Sequence, residues 1–203
     1  MFDGKSTAGW LEVTGKPFPK SWTVENGCLH AVPTPAGNQD LRTVAAFGDF
    51  DLRFEWRIAA RGNSGVKYLV QRVDEWERNG RQARARGPEY QLTDDALSEE
   101  ARNDRTRGTG ALYSVLPAAG PGVRDRDFHQ SGIVKRGGEV EHWLDGAMLL
   151  RYSLAAPEVG RLLRSMHRDP AESLVDRSPI CLQNHNSEVW FRNLRIRPLE
   201  TSR

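Results

Sequence analysis

The sequence predicts an all-β sandwich of two antiparallel sheets, and three observations carry that prediction. Apolar and polar residues alternate with period two over several short runs. Turn pairs separate those runs at hairpin spacing, and a single stretch has helical period. A chain of 203 residues can bury one good core, and β-sandwiches of this size are usually undivided, so residues 1–203 are expected to form one domain.

In chain order, Trp22 to Val32 holds two short apolar runs around Asn26-Gly27, a pair that tolerates positive φ and favours a hairpin. Asp49 to Ile58 alternates cleanly. Phe50, Leu52, Phe54, Trp56 and Ile58 share one face, and their burial would contribute about 2 kcal/mol each before entropy is subtracted. Gly62 to Gly65 reads as a turn into Val66 to Gln71, the expected hairpin partner of that strand. Glu89 to Thr93 is a further strand. Asp94 to Gly108 is a polar loop without periodicity, Gly110 to Leu116 is strand-like, and Pro117 to Gly122 is a surface connection. Residues 131–154 form a hairpin set around Gly137-Gly138 and Asp145-Gly146. The one helix runs from Pro157 to about Arg168, with Val159, Leu162, Leu163 and Met166 on one face and Pro157 and Pro170 bracketing it. Pro179 to Asn184 and Glu188 to Ile196 close the chain as strands.

A net charge of +2 is too small to argue for nucleic acid or an anionic membrane. The arginines between Arg78 and Arg86 are interspersed with Gly and Ala and read as a solvated loop. No run approaches the ~18 apolar residues of a membrane span. The chain opens on Met1-Phe2-Asp3-Gly4, already domain-like, with no signal peptide in view, which leaves cytoplasmic, periplasmic and secreted locations open. Cys28 and Cys181 are expected as two buried thiols, one disulfide being the alternative. Zinc-ligand spacings, a nucleophile elbow, a phosphate loop and a dinucleotide fingerprint are all missing. Nothing in the pattern speaks to oligomeric state.

The chemistry-bearing stretch is Gly87-Pro88-Glu89-Tyr90-Gln91-Leu92-Thr93-Asp94-Asp95. If Tyr90 and Leu92 face the core, Glu89, Gln91 and Thr93 line the opposite face, about 6–7 Å apart. Alone, such a row is a solvated surface. A second stretch with the same grammar, Ile180-Cys181-Leu182-Gln183-Asn184-His185, gives it a partner. There Ile180 and Leu182 inward would put Cys181, Gln183 and His185 outward, although cysteine is usually buried.

These segments resemble the 3-keto-disaccharide hydrolase family. The resemblance is carried by Phe2-Asp3-Gly4-Lys5, Gly48 to Arg57, Gly62-Asn63-Ser64-Gly65-Val66-Lys67-Tyr68 and Gly87 to Leu92. It continues through Gly108 to Tyr113, Val140-Glu141-His142-Trp143-Leu144-Asp145-Gly146 and Leu182-Gln183-Asn184-His185 with Val189 to Ile196. It spans nearly the whole chain and implies a concanavalin A-like jelly roll. It also implies a carbohydrate-active enzyme for which oxidation at C3 acidifies the C2 hydrogen. Removal of that proton gives an enolate, the aglycone leaves C1, and water adds. Glu89 and His185 are the implied acid/base groups. Lys67, or a divalent cation held by some of these residues, would stabilise the enolate oxygen. Asn63, Gln91, Tyr113 and Gln183 have the donor and acceptor mix of a sugar site. His142 and Asn184 are carried as further substrate contacts, although His142 beside Trp143 also suits packing. Trp143 and Trp190 could stack on sugar or fill the core. Asp94-Asp95 is either half a metal site or a turn former. The family usually has Asp at position 184 and Gly at 186, so Asn184 and Asn186 are departures that bear on the basicity of His185. A small-molecule sugar is the implied partner. The alternative is a carbohydrate-binding module without chemistry. A retaining glycosidase needs two carboxyls about 5–5.5 Å apart, and Glu89 has only Gln91 and Thr93 along its row.

Overall fold

Two-residue turns set most of the hairpins. The structure, a computed structural model, describes residues 1–167 and 174–200. The strands are β1 (Trp10–Glu12), β2 (Trp22–Glu25), β3 (Cys28–Ala31), β4 (Leu41–Phe47), β5 (Phe50–Ile58), β6 (Asn63–Lys67) and β7 (Arg72–Glu77). They continue with β8 (Arg81–Arg86), β9 (Glu89–Thr93), β10 (His129–Arg136), β11 (Glu139–Leu144), β12 (Ala147–Ser153), β13 (Ser178–Leu182) and β14 (Val189–Pro198). A seven-stranded sheet runs β12-β11-β10-β5-β14-β3-β2 and a five-stranded sheet β1-β4-β13-β6-β9, with β7-β8 as a separate ribbon. All pairings between named strands are antiparallel, which makes the expected jelly-roll sandwich.

The predicted hairpins at Asn26-Gly27 and Asp145-Gly146 are present, each with both residues at positive φ. β5 lies at the centre of the larger sheet, and its five alternate apolar side chains are all at most 3% exposed. They meet Val66, Tyr90, Leu92, Ile180 and Leu182 of the smaller sheet, and Tyr68 just beyond β6, in one core. Cys28 and Cys181 are free, buried thiols.

Four expectations are corrected. The segment after β5 is not its hairpin partner, because β6 crosses to the other sheet and pairs with β9 and β13. Its glycines serve close packing rather than a turn: a Cβ on Gly62 would stand 2.4 Å from the Ile58 side chain, and the bend is made at Arg61, φ +58°. Gly110 to Leu116 is not a strand, since Ser114 adopts φ +57° and only Leu112 bridges Tyr90. The polar loop contains a short helix, α1 (Glu99–Asn103), whose first turn is capped by Ser98 accepting from the Ala101 amide. The arginine-rich stretch is β8, with Gln82, Ala83 and Ala85 buried. The predicted long helix, α2 (Pro157–His167), buries Val159 and Leu163 while Leu162 stays exposed; Arg168 and Pro170 lie outside the described residues.

His142 is corrected as a substrate contact. It points between the sheets, fully buried, with Nε2 2.8 Å from the Tyr68 hydroxyl and Nδ1 2.7 Å from the Gly110 carbonyl oxygen. Tyr90 and Tyr152 complete its surround. Burial pushes its pKa from 6.5 down to about 4. Folding therefore favours the neutral ring. The associated stability is complete above pH 6.5 and lost as pH falls toward 4, at most about 3 kcal/mol. Urea titrations from pH 7 to 4 should show this slope, and His142→Gln should flatten it; an unchanged slope would assign the acid sensitivity elsewhere. Trp143 and Trp190 do not fill the core. They alternate with inward His142 and with inward Val189 and Phe191, and pack against Arg53 and Arg57 on the outer side of the larger sheet.

Candidate active site

The smaller sheet presents its second face to a polar cavity. Antiparallel pairing places Lys67 opposite Glu89 and opposite Cys181, while Gly65 stands opposite Gln91. With Val66, Tyr90 and Leu182 directed into the core, period two sends Lys67, Glu89 and Cys181 to the other side. Cys181 is buried there all the same, because β8 covers it with Ala83 and Ala85. The ribbon of β7 and β8 thus closes one flank of the site.

The resulting cavity, about 160 Å³, is lined by Asn63, Lys67, Arg84, Arg86, Glu89, Tyr113, Gln183 and His185 among others. Six sequence-predicted residues therefore meet at one place: Asn63, Lys67, Glu89, Tyr113, Gln183 and His185. Glu89 is only 6% exposed. Its carboxylate lies flat over Gly65, where any Cβ would stand 2.2 Å from Oε1. Gln183 Nε2 donates to Glu89 Oε2 at 3.4 Å, and Lys67 Nζ is 3.7 Å from the same oxygen. Burial raises the Glu89 pKa above the ordinary 4.5, opposed by the Lys67 charge. A carboxylate held this way is a stronger base than one in water.

Lys67 is placed differently from the expectation of a substrate contact. Its ammonium donates to Asp40 Oδ2 at 3.0 Å and to the Ala85 carbonyl at 3.2 Å, leaving one direction, toward Glu89. It holds the Glu89 carboxylate in place. Asp40 itself is fully buried and accepts from the Ala85 amide at 3.0 Å and the Asn184 amide at 3.1 Å. It ties β6, β8 and the end of β13 together.

His185 lies just beyond β13, an exposed residue at the rim of the cavity. Partial desolvation there, with the Arg84 charge adding to it, lowers its pKa to about 4. Above that pH the imidazole is neutral and can accept a proton. Asn184 is corrected as a substrate contact: it is fully buried, donates to the Ser21 carbonyl at 2.9 Å and accepts from the Asn186 amide at 2.9 Å. A carboxylate there would face the Ser21 carbonyl oxygen. Asn186 takes φ +60°, a conformation that Gly also provides freely. Gln91 is buried beneath the cavity and approaches it through Asn63, to whose Oδ1 it donates at 3.3 Å. The Gln183 Oε1 atom is buried without a partner, an acceptor open to a hydroxyl donor.

Asp40, Arg84 and Arg86 are the site residues that sequence reasoning misses. The alternation Gln82-Arg84-Arg86 against Ala83-Ala85 is a readable strand signal for the two arginines. Asp40 sits in the polar run Asn38-Gln39-Asp40 and carries no such signal. Arg84 Nε has no hydrogen-bond partner, whereas Arg86 is tied to Asp74 at 2.8 Å. Asp94 and Asp95 are loop anchors: Asp94 accepts from Ala96 and Leu97 amides, and Asp95 from Thr109 and Val123 amides. The charged groups around Glu89 are the cations Lys67, Arg84 and Arg86, which oppose a divalent ion beside it, while Asn63, Tyr113, Gln183 and His185 are its neutral neighbours. Among the described residues no cluster of three His, Cys, Asp or Glu suits one either.

A 3-keto-disaccharide hydrolase of Bacteroides thetaiotaomicron is 28% identical over 225 residues, 98% of this chain and 78% of the relative. A Parabacteroides distasonis protein, provisionally described as a glycosyl hydrolase, superposes with a TM-score of 0.82 at 27% identity, over 98% of this chain and 92% of that one. The carbohydrate-binding module CBM66 of Bacillus subtilis has a TM-score of 0.57 at 12% identity, over 93% and 94% of the two chains, and shows the fold alone. Fold and likeness together define a glycoside-cleaving hydrolase of the jelly-roll class. The 3-keto-alpha-glucoside-1,2-lyase-like domain family matches residues 1–197, and the chain belongs to that family. Among the described residues no helix is long and apolar enough to cross a membrane.

Proposed function

We propose that this enzyme cleaves glycosides whose sugar is oxidised at C3, by elimination followed by hydration. The observation that carries the reading is one buried carboxylate, Glu89, facing a cavity whose other charged groups are cationic. Glu89 takes the C2 proton, and the electron pair moves onto the C3 oxygen as an enolate stabilised by the Arg84 guanidinium. Collapse of the enolate expels the aglycone from C1, its oxygen taking a proton from water. A second water adds at C1, its proton passing through His185 to the hydroxide left by the first, and Glu89, its own proton exchanged with solvent after the aglycone leaves, protonates C2. One water is consumed overall. Gln183, Asn63 and Tyr113 hold the sugar hydroxyls, and the route needs no second carboxylate.

The test is methyl 3-keto-α-glucoside in deuterated water, with and without EDTA. Methanol release with deuterium at C2 of the sugar product, insensitive to the chelator, is the expected result. Release with protium retained at C2 would sink the elimination route, and abolition by EDTA would return the oxyanion's charge to a metal ion.

A further inference from the structure

Beside the Glu89 cavity lies a wider hollow of about 640 Å³, within the range of small-molecule sites, about 300–1,000 Å³. It opens where the β7–β8 ribbon stands over the segment that precedes β4. Arg84 and His185 line both hollows, so the two join into one groove with the imidazole at the boundary.

The wider part is built for something other than water. One wall is Trp76, half-buried, with the Arg84 and Arg86 guanidinium carbons each 5.7 Å from its ring centre. Four carboxamides, Asn38, Asn79, Gln82 and Asn186, line the hollow, and no carboxylate does. Asn38 is only 6% exposed, and its Oδ1 has no hydrogen-bond partner; its Nδ2 reaches Gln82 Oε1 at 3.5 Å. A buried acceptor left open at the wall of a hollow is an invitation to a hydroxyl donor.

We infer that this hollow is the subsite for the leaving half of the substrate and that it takes a second pyranose ring. The inference rests on the reading of the Glu89 cavity given above. A pyranose has a C–H face that suits the Trp76 ring and hydroxyls that both donate and accept, matching Asn38 and Gln82. An aryl aglycone would stack on Trp76 and leave Asn38 Oδ1 unmet. A phosphate would set its oxygens against that same acceptor. The position of His185 at the junction places the scissile bond between the two rings.

The experiment compares kcat/KM for 3-keto-maltose and for methyl 3-keto-α-glucoside. Trp76→Ala should lower the disaccharide-to-methyl ratio about 10-fold or more, and Trp76→Phe should restore most of it. An unchanged ratio, with both substrates slowed alike, would overturn the subsite and make Trp76 a prop for Arg84. If neither substrate turns over in the unmodified enzyme, the reading of the Glu89 cavity fails, and binding decides the subsite by itself. Tryptophan fluorescence titrated with maltose should then respond in the unmodified protein and not in Trp76→Phe, whereas methyl α-glucoside should give no response. A maltose response that is missing, or that survives the substitution, would overturn it.

Discussion

Glu89→Gln is expected to cut turnover of a 3-keto-glycoside by about 10²- to 10⁴-fold, the usual worth of a positioned general base, and to leave the protein at least as stable as before. The two halves of that expectation have one cause. Burial lifts the Glu89 pKa above the ordinary 4.5, so folding favours the protonated form. The stability linked to protonation is present below about pH 4.5 and is lost as pH rises through the folded value. At neutral pH the charged carboxylate is therefore a cost, partly offset by Lys67 at 3.7 Å. Glutamine removes the charge and keeps the shape, while Lys67 keeps Asp40. The same pKa sets the acid limb of kcat/KM, which should rise with pH through a value above 4.5 because only the ionised form is a base. Stopped or initial-rate assays and thermal melts at pH 7 read both halves. A variant that melts much earlier, or that keeps its turnover, would make Glu89 a structural anchor.

The second large effect is on stability. Asp40→Ala is expected to destabilise by about 3–5 kcal/mol, because it strands the buried Lys67 ammonium. It also removes the acceptor for the Ala85 and Asn184 amides. The double variant Asp40→Ala with Lys67→Met should be less destabilised than Asp40→Ala alone, since no charge is then left unpaired. Urea denaturation of the three proteins gives the comparison. A loss below about 1 kcal/mol in Asp40→Ala would mean that water reaches Lys67 and the pair is not a buried one.

Much of the site is legible in the amino-acid order. The parity that sends Tyr90 and Leu92 inward sends Glu89 outward, and Leu182 does the same for Gln183. Both inferences need only the two-residue repeat of a strand. The parity holds even for Cys181, the residue that argues against it, because β8 supplies the cover that a single strand cannot show. His142 fails as a sugar contact for the same reason that Glu89 reaches the cavity: it alternates with Trp143 and falls on the core side, where the hydroxyl of Tyr68 satisfies its ring. Gly62 and Gly65 pass for turn formers, since a glycine required for a neighbouring side chain looks identical to one required for its torsion angles.

By itself, then, the sequence determined what depends on near neighbours: the alternation of β5, the left-handed turns at Asn26-Gly27 and Asp145-Gly146, and the face on which each strand residue stands. Tertiary structure alone decided that β6 joins β9 and β13 rather than β5, and that the arginine ribbon folds over the site. It also decided that Asp40 reaches Lys67, Ala85 and Asn184 at once. Torsion preferences and period act over a few bonds and are written locally. A buried charge finds its partners only when segments far apart in the chain are packed together, and that packing is chosen by the summed fit of the whole core.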